Sequence, residues 1–232
     1  MSVLAIIPAR SGSQGIPQKN WKPLCGMTPV KRAVECARAV RAIETIVVST
    51  DAGPLQPSDT GALRVTILHR PPELATDTAG MIDVVRHVLE QIPGPPDQRI
   101  VLLQPTQPLR KPEHITQALE LLTPEVDSVV SVVEIPQTHA AMNHGYISTE
   151  GDGLLMQAWS TFTPARRQDC GRSFIRDGTC YAFHRRTVTK HNNIYGELVK
   201  PLIIDPADTC PLDTPQDWLE AERRLRERTP QA

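Results

Sequence analysis

Aromatic residues are scarce in this chain of 232 residues: three Phe, three Trp and three Tyr make up only 4%. Proteins that hold single-stranded nucleic acid stack its bases on aromatic rings, so we expect no surface of that kind. An excess of one charge is missing too, because the formal net charge is −1. General nucleic-acid and membrane surfaces need a basic excess, and neither partner is expected. Any bound anion must therefore meet a local cluster of Arg and Lys.

Long apolar runs and paired cysteines are also lacking. The opening apolar run, residues 3–7, is too short for the core of a signal peptide or for a membrane span. The five cysteines include no C-x-x-C pair, and the seven histidines show no H-x-x-x-H spacing. Neither a disulfide framework nor a zinc site is expected. The pattern predicts free thiols in a reducing compartment, and hence a cytoplasmic protein.

What the chain does contain is an alternation of two patterns. Short β-branched runs predict strands at 3–7, 45–49, 64–68, 100–103, 128–133, 179–183 and 201–204. Helical spacing predicts helices at 30–40, 81–91, 115–122 and 215–227, the last capped within Asp213-Thr214. This alternation predicts an α/β fold with a Rossmann-like, mostly parallel sheet flanked by helices. Ligands of such sheets bind beyond the carboxyl ends of the strands.

Two segments interrupt the alternation. Residues 53–61 carry turn formers where a crossover helix is expected, which predicts a shortened or missing helix. Residues 136–178 are polar and irregular, which predicts a small protruding arm or lid. The length fits one domain, residues 1–232, with this single excursion.

The segment after the first predicted strand concentrates small residues and positive charge. It reads Pro-Ala-Arg-Ser-Gly-Ser-Gln-Gly-Ile-Pro-Gln-Lys-Asn over residues 8–20. Backbone N–H groups of such a loop approach an oxyanion closely, and Arg10 and Lys19 add charge that reaches phosphate oxygens. The loop is neither a Walker A motif nor a G-x-G-x-x-G motif. Taken alone, it fits a plain strand-to-helix turn with solvated charges equally well.

Four further segments follow the loop in order. They are Ile-Val-Val-Ser-Thr-Asp at 46–51, Arg-Pro-Pro-Glu-Leu-Ala-Thr-Asp-Thr-Ala at 70–79, Leu-Leu-Gln-Pro-Thr-Gln-Pro-Leu-Arg at 102–110, and Leu-Asp-Thr-Pro-Gln-Asp-Trp at 212–218. With the loop, over about residues 3–221, they resemble the CMP-sialic acid synthetase family, the acylneuraminate cytidylyltransferases. CMP-Kdo synthetases are more distant relatives. The resemblance implies an enzyme that joins CTP to an acidic acceptor and releases diphosphate.

The resemblance also implies roles for the matching positions. The implied nucleotide-binding residues are Arg10, Ser13, Gly15, Lys19, Asn20, Arg70 and Gln104. The implied acceptor-binding residues are Gln104, Arg167, Gln168 and Asp177. Arg10, Lys19 and Asp213 would be catalytic, and Asp213 would also hold Mg²⁺. Transfer at phosphorus depends on charge neutralisation and alignment, which such residues supply.

Each of these positions has a plainer reading when it is taken singly. Gln104 and Thr106 fit caps of a strand end, and Asp213 fits a helix cap. Arg166, Arg167, Arg172 and Arg176 fit a solvated face of the predicted arm. The order of the five motifs favours the functional reading.

Two positions depart from the family pattern. The family usually has Asp-x-Asp before Thr-Pro, whereas this chain has Pro211-Leu212-Asp213. We expect weaker but retained magnesium binding, because Mg²⁺ takes most ligands from phosphates and water. Asp205 and Asp208 are alternative carboxylates. Relatives commonly read His-Pro-x-Lys, with the lysine near the sugar acid, where this chain has His139-Ala-Ala-Met142.

Both departures fall on the acceptor and metal side, so they leave the acceptor open. A sugar acid attacks through a neutral hydroxyl, which needs a metal or a base. A small phosphonate such as phosphonoformate, in an antibiotic pathway, attacks as an anion and fits equally well. A nucleotide-binding paralogue without catalysis is a third alternative. The expected partners are CTP, a small acidic acceptor and a second copy of the chain, since relatives exchange an arm across a dimer within 136–178.

Overall fold

In a computed structural model, the structure describes residues 2–13, 15–53, 65–136, 145–148, 155–158 and 172–228. The strands in these ranges are β1 (Val3–Pro8), β2 (Ile43–Thr50), β3 (Val65–His69), β4 (Arg99–Leu102), β5 (Ser128–Ile135), β6 (Gly145–Ser148), β7 (Leu155–Ala158), β8 (Ser173–His184) and β9 (Val199–Ile204). The helices are α1 (Pro29–Arg38), α2 (Met81–Gln91), α3 (Pro112–Leu121), α4 (Arg185–His191) and α5 (Pro215–Arg228).

Seven strands form one sheet in the order β3-β2-β1-β4-β8-β5-β9. The pairs β1–β2, β1–β4, β2–β3 and β5–β9 are parallel, whereas β8 is antiparallel to both of its neighbours. The carboxyl ends of the other six strands therefore share one edge, and β8 begins at that same edge. The predicted α/β fold with a mostly parallel sheet is confirmed.

Strand β1 is apolar throughout because both faces of the sheet are covered there. Along β1, Ile7 points into one apolar cluster, which α1 and α3 cover, and Ile6 points into the other, which α2 and α4 cover. Both side chains are fully buried. A strand buried on two faces shows no alternation of apolar and polar residues, as the sequence pattern indicated.

A third apolar cluster fixes α5 against the loop that follows β1. Ile16, Leu24, Leu212 and Trp218 are buried together there. Lys22 also lies over the Trp218 ring, 4.9 Å from its centre. This packing holds the loop beside the segment that leads into α5, which positions both for the site.

Several boundaries differ from the sequence expectation. Residues 173–178 belong to β8, so the irregular excursion predicted for 136–178 extends too far. Helix α4 was not predicted. Within the excursion, β6 and β7 pair antiparallel as a separate two-stranded sheet. Most of the shortened helix expected at 53–61 lies outside the described residues.

Among the helices of the described ranges, none has the length and apolarity to cross a membrane. The four described cysteines, Cys25, Cys36, Cys180 and Cys210, are free thiols. Burial raises the pKa of Cys36 to about 11 and that of Cys180 to about 12. These two thiols stay protonated near neutral pH and are not nucleophiles.

Candidate active site

A cavity of about 370 Å³ opens at the carboxyl edge of the sheet. Its wall comes from segments far apart in the sequence: the end of β1 and its loop, the turn before α2, the segment after β4, and the residue before Thr214. The lining residues are Pro8, Arg10, Ser13, Lys19, Asn20, Thr76, Asp77, Ala79, Met81, Gln104, Pro105, Thr106 and Asp213. Open parallel sheets bind their ligands at this edge.

The loop after β1 is held by hydrogen bonds to the residue that follows β2 and by one within the loop itself. The Ser11 backbone N–H and hydroxyl donate to the Asp51 carboxylate at 2.8 and 2.6 Å. Burial alone would raise the pKa of Asp51, but the Ser11 hydrogen bonds, together with the Asp51 backbone N–H and the Arg70 charge, lower that pKa. Asn20 Nδ2 donates to the Arg10 carbonyl at 3.0 Å. The loop is thus fixed before any ligand binds.

Two buried polar atoms in this loop lack a partner among the described residues. They are the Ser13 hydroxyl oxygen and Asn20 Oδ1, and both residues line the cavity. Native proteins pair the large majority of buried polar side-chain atoms, so such exceptions need a physical reason. A hydroxyl-bearing or phosphorylated ligand supplies the complementary groups.

The two cationic side chains of the cavity meet carboxylates from other segments. Arg10 Nη1 donates to the Asp77 carboxylate. Lys19 Nζ donates to the Leu212 carbonyl at 2.6 Å and to Asp213 Oδ1 at 3.2 Å. The Asp77 and Asp213 side chains are 50% and 71% exposed. Exposed ion pairs are weak, so a polyphosphate competes with them readily.

Gly15 brings the loop into close contact with the residue before α5. A Cβ atom at Gly15 would lie 2.2 Å from the Asp213 carbonyl oxygen, which no real side chain tolerates. Only glycine therefore allows this approach. The close packing brings Lys19 and Asp213 to the same wall.

The carboxylate of Asp213 is not used as a helix cap. Thr214 Oγ1 accepts from the Asp217 N–H at 3.2 Å, and Asp217 accepts in return from the Thr214 N–H at 2.7 Å. Thr214 is thus the N-cap of α5. The plainer reading of Asp213 as only a cap is wrong, and its side chain remains at the cavity.

The alternative carboxylates proposed for magnesium are committed elsewhere. The two oxygens of Asp208 pair with Lys111 at 2.7 Å and with Arg228 at 2.6 Å. The Asp205 side chain accepts from the Ala207 N–H. Neither residue lines the cavity, so that expectation is wrong. Among the described residues, no three His, Cys, Asp or Glu side chains gather as a metal site.

The predicted acceptor-binding residues Gln104 and Asp177 come close to each other where β8 packs against the segment after β4. Gly178 has φ +79°, and a Cβ atom there would lie 2.5 Å from Gln104 Oε1. The neighbouring Asp177 carboxylate accepts from the Thr179 N–H at 3.1 Å and from its hydroxyl. The structure therefore brings Gln104 together with the Asp177 segment. Arg167 and Gln168, like His139 and Met142, lie outside the described residues.

Arg70 is placed behind the cavity wall. It is only 7% exposed, and its guanidinium donates to the carbonyls of Ser49 and Leu74. Burial lowers the pKa of Arg70, and the nearby Asp51 charge opposes that shift. Its predicted contact with the nucleotide stays a prediction.

The sequence reasoning missed three residues that shape the site. Asp77 lines the cavity opposite Arg10. Arg110 is buried and donates to the carbonyls of Gln104 and Thr179. Gln107 is 3% exposed and contacts the Asp177 backbone. All three fall within the quoted motifs, which was the only available signal.

A mostly parallel sheet with a cationic, glycine-containing loop at its carboxyl edge is the arrangement of an α/β protein that binds an anionic ligand there. The chain belongs to the cytidylyltransferase family, whose sequence profile matches residues 4–210, and within it to the CMP-sialic acid synthetase group. The resemblance drawn from the motifs is thereby confirmed, and the chain is an enzyme of this class.

Two curated relatives illustrate the match. The chain is 31% identical over 235 residues to the CMP-N,N'-diacetyllegionaminic acid synthase of Legionella pneumophila, covering 97% of each protein. It is 28% identical over 222 residues to the N-acylneuraminate cytidylyltransferase of Streptococcus agalactiae. That match covers 94% of this chain and 52% of the relative, so the chain spans about half of that protein.

Solved structures share the fold at low sequence identity. A CMP:2-keto-3-deoxy-manno-octonic acid synthetase complexed with CTP superposes with a TM-score of 0.74 at 18% identity, covering 99% of this chain and 100% of that one. A 4-diphosphocytidyl-2C-methyl-D-erythritol synthase from Anaerococcus prevotii gives 0.64 at 13% identity, with 97% and 96% covered. These likenesses concern the fold alone.

Proposed function

We propose that the chain transfers the cytidylyl group of CTP to a sialic-type nonulosonic sugar acid, giving a CMP-sugar and diphosphate. The observation that carries the proposal is the convergence of Arg10, Lys19 and Asp213 on one cavity with the unpartnered Ser13 and Asn20 oxygens. The named activities of the Legionella and Streptococcus relatives support the choice of nucleotide and acceptor.

The phosphate-side roles follow from the charges. Arg10 and Lys19 exchange their exposed carboxylate partners for oxygens of the triphosphate. The acceptor hydroxyl loses its proton to water as its oxygen forms a bond to the α-phosphorus. The bond to the bridging oxygen breaks, and diphosphate leaves with added negative charge. Two fixed cations stabilise that charge more in the transition state than in bound CTP.

Magnesium fits the cavity beside the Asp213 carboxylate. Asp213 lines the wall beside Lys19, and a hard cation completes its oxygen shell from phosphates and water. When bound, Mg²⁺ would neutralise phosphate charge there. The chain's own contribution is to hold Asp213 close to the loop, through the contact at Gly15.

A small phosphonate acceptor is a second candidate, and Pro211 is the observation that favours it. Where the family usually has a second carboxylate, this segment offers only Asp213. An acceptor that is already anionic needs less activation than a hydroxyl.

We also propose that the protein acts in the cytoplasm and that it is a homodimer. Sedimentation of the purified protein tests the oligomeric state.

The deciding experiment measures diphosphate release from CTP and Mg²⁺ with a panel of acceptors. The panel contains a sialic acid, a legionaminic acid, 2-keto-3-deoxy-octonic acid and phosphonoformate, with ATP and GTP as alternative nucleotides. Turnover with CTP and a nine-carbon sugar acid is expected. Turnover with phosphonoformate alone would favour the second candidate, and CTP binding without turnover would favour a non-catalytic paralogue.

Substitutions at the two departing positions sharpen the choice. For a sugar-acid enzyme, Pro211→Asp combined with Met142→Lys should raise turnover of the sugar acid by about tenfold for each contact worth roughly 1.4 kcal/mol. For a phosphonate enzyme, the same pair should leave phosphonate turnover unchanged or lower it, because an added carboxylate repels an anionic acceptor. The measurement is kcat/KM for both acceptors at saturating CTP.

A further inference from the structure

Gln107 is a buried amide that lies between two segments of the site. Its Nε2 donates to the backbone carbonyl of Asp177, which lies within β8 next to Gly178. Its Oε1 accepts from the Cys210 N–H and the Thr209 hydroxyl, both at 3.4 Å. The side chain is part of the site's support, because it is 3% exposed and does not line the cavity.

The two bonded segments carry different parts of the site. On one side, the backbone of β8 at Gly178 packs closely against the Gln104 side chain. On the other, the chain runs from Cys210 to Asp213, with the Leu212 N–H donating to the Thr106 carbonyl at 2.9 Å. The Leu212 carbonyl in turn accepts from Lys19 Nζ. One amide thus contacts both the acceptor side and the phosphate side.

A glutamine amide suits this place because it has a donor end and an acceptor end. A carboxylate accepts from Cys210 but has no N–H for the Asp177 carbonyl. An apolar side chain of similar length makes neither bond. Buried backbone groups that lose a partner cost stability, so each segment would move to regain one.

We infer that Gln107 is a positioning residue that couples the Asp177–Gly178 part of β8 to the segment carrying Asp213. Through this coupling, the acceptor and the triphosphate are aligned with each other. The inference rests on the proposed function for its kinetic consequence. Gln107 touches no substrate in this account and acts through Gln104 and Asp213. Alignment of this kind contributes to the rate, because small displacements at phosphorus transfer are costly.

Two substitutions separate the two ends of the amide. Gln107→Glu removes the donor and keeps the acceptor, so the KM for the acceptor should rise by about tenfold while the KM for CTP stays within about twofold. Gln107→Met removes both, so kcat should also fall by about tenfold. In Gln107→Met, the Cys210 amide should lose protection from hydrogen exchange, whereas Gln107→Glu should retain it.

The matched control is Gln98→Met, another buried glutamine, which accepts from Arg185 at 3.1 and 2.8 Å at the opposite edge of the sheet. It should lower Tm without changing either KM. If both Gln107 variants keep kcat and both KM values within about twofold, or change only Tm as the control does, the inference is overturned. An equal loss of CTP affinity and acceptor affinity in Gln107→Glu would overturn it too.

Failure of the proposed function gives a different result. If the wild type releases no diphosphate with any sugar acid, the substrate assignment fails regardless of Gln107. The coupling is then judged by hydrogen exchange alone. Unchanged protection of the Cys210 amide in Gln107→Met would refute it, and lost protection there with retention in Gln107→Glu would support it.

Discussion

Two groups of buried polar side chains, one around Arg185 and one in the loop after β1, have different surroundings. At the amino edge of β4, the Arg185 guanidinium donates to Gln98 Oε1 and to the Leu89 and Ile92 carbonyls at 2.6–3.1 Å. The neighbouring His184 ring lies between two backbone carbonyls. Arg185 and His184 thus find protein partners, although Arg99 Nε at the start of β4 is buried without one among the described residues.

At the carboxyl edge, by contrast, the Ser13 hydroxyl and Asn20 Oδ1 are buried without a partner among the described residues. An unsatisfied buried polar group costs about 1–3 kcal/mol. The loop keeps this cost because its other hydrogen bonds, to Asp51 and to the Arg10 carbonyl, hold it in place. The Arg185 cluster is thus closed by protein groups, whereas the loop after β1 leaves two polar atoms that a ligand can pair with.

The largest effect on activity is expected when the cationic side chains at the carboxyl edge are removed. Arg10→Ala or Lys19→Ala should lower kcat/KM on the order of 10²- to 10³-fold, because each fixed cation stabilises charge that develops on the leaving diphosphate. Tm should change little, since their ion pairs are partly exposed. Steady-state kinetics and thermal unfolding check both expectations.

Arg86→Ala is the matched control for the loop cations, because Arg86 pairs with Asp83 on the surface of α2. It should retain full activity. An Arg10→Ala enzyme with wild-type kcat/KM would remove the phosphate role of the loop.

The next effect concerns the close approach at Gly15. Gly15→Ala should lower kcat/KM by about ten- to a hundredfold, because the new Cβ would displace the Asp213 backbone. Gly12→Ala in the same loop is the control, since a Cβ at Gly12 meets no atom of the described residues within 4 Å. Equal kinetics for the two variants would mean that the contact with Asp213 is unimportant.

The amino edge should respond in stability rather than in activity. Gln98→Met leaves the Arg185 guanidinium without its side-chain acceptor, so the free energy of unfolding should fall by about 1–3 kcal/mol. Urea denaturation measures this change. A loss of kcat without a loss of stability would contradict the division between the two edges.

The smallest effect distinguishes two aspartates of one segment. Burial alone would raise the pKa of Asp208, but hydrogen bonding and charge from Lys111, together with the charge of Arg228, lower it. Its contribution to stability is therefore present above the unfolded-state pKa of about 3.9 and lost as pH falls below it. Asp208→Asn should cost about 1–2 kcal/mol at pH 7, and this difference should shrink toward pH 3.

Asp213→Asn provides the contrast to Asp208→Asn. The Asp213 side chain is 71% exposed and its partner Lys19 has a second acceptor in the Leu212 carbonyl, so stability should be retained while turnover falls. Denaturation curves from pH 3 to pH 7, beside kinetics at neutral pH, separate the two roles. Equal effects of both variants on turnover would contradict the assignment.

The elements that were predicted from the sequence are those whose buried residues form a continuous or periodic apolar pattern. The strands of the parallel part and the helices α1, α2, α3 and α5 show continuous or periodic apolar residues. The first part of β8 was missed because Phe174, Ile175 and their neighbours are partly or fully exposed, without a buried run. The direction of β8 was unpredictable as well, since pairing across a sheet leaves no local pattern.

The candidate site was predictable to a similar degree. The order of motifs placed Arg10, Lys19, Gln104 and Asp213 together, and the structure does bring them to one cavity. The supporting role of Gln107 and Arg110 was not visible, because it depends on which carbonyls the fold places beside them. A polar residue in a motif looks the same whether it faces a ligand or a backbone.

The reversed direction of β8 has a consequence for how this enzyme can diversify. Because β5 ends and β8 begins at the same edge of the sheet, the pair Ile135–Ser173 closes the ladder between these two strands. Insertions, deletions and sequence drift between these two points leave every strand pairing of the seven-stranded sheet in place. The sheet that carries the cavity is therefore independent, in its strand pairings, of the length and sequence of the chain between those two residues.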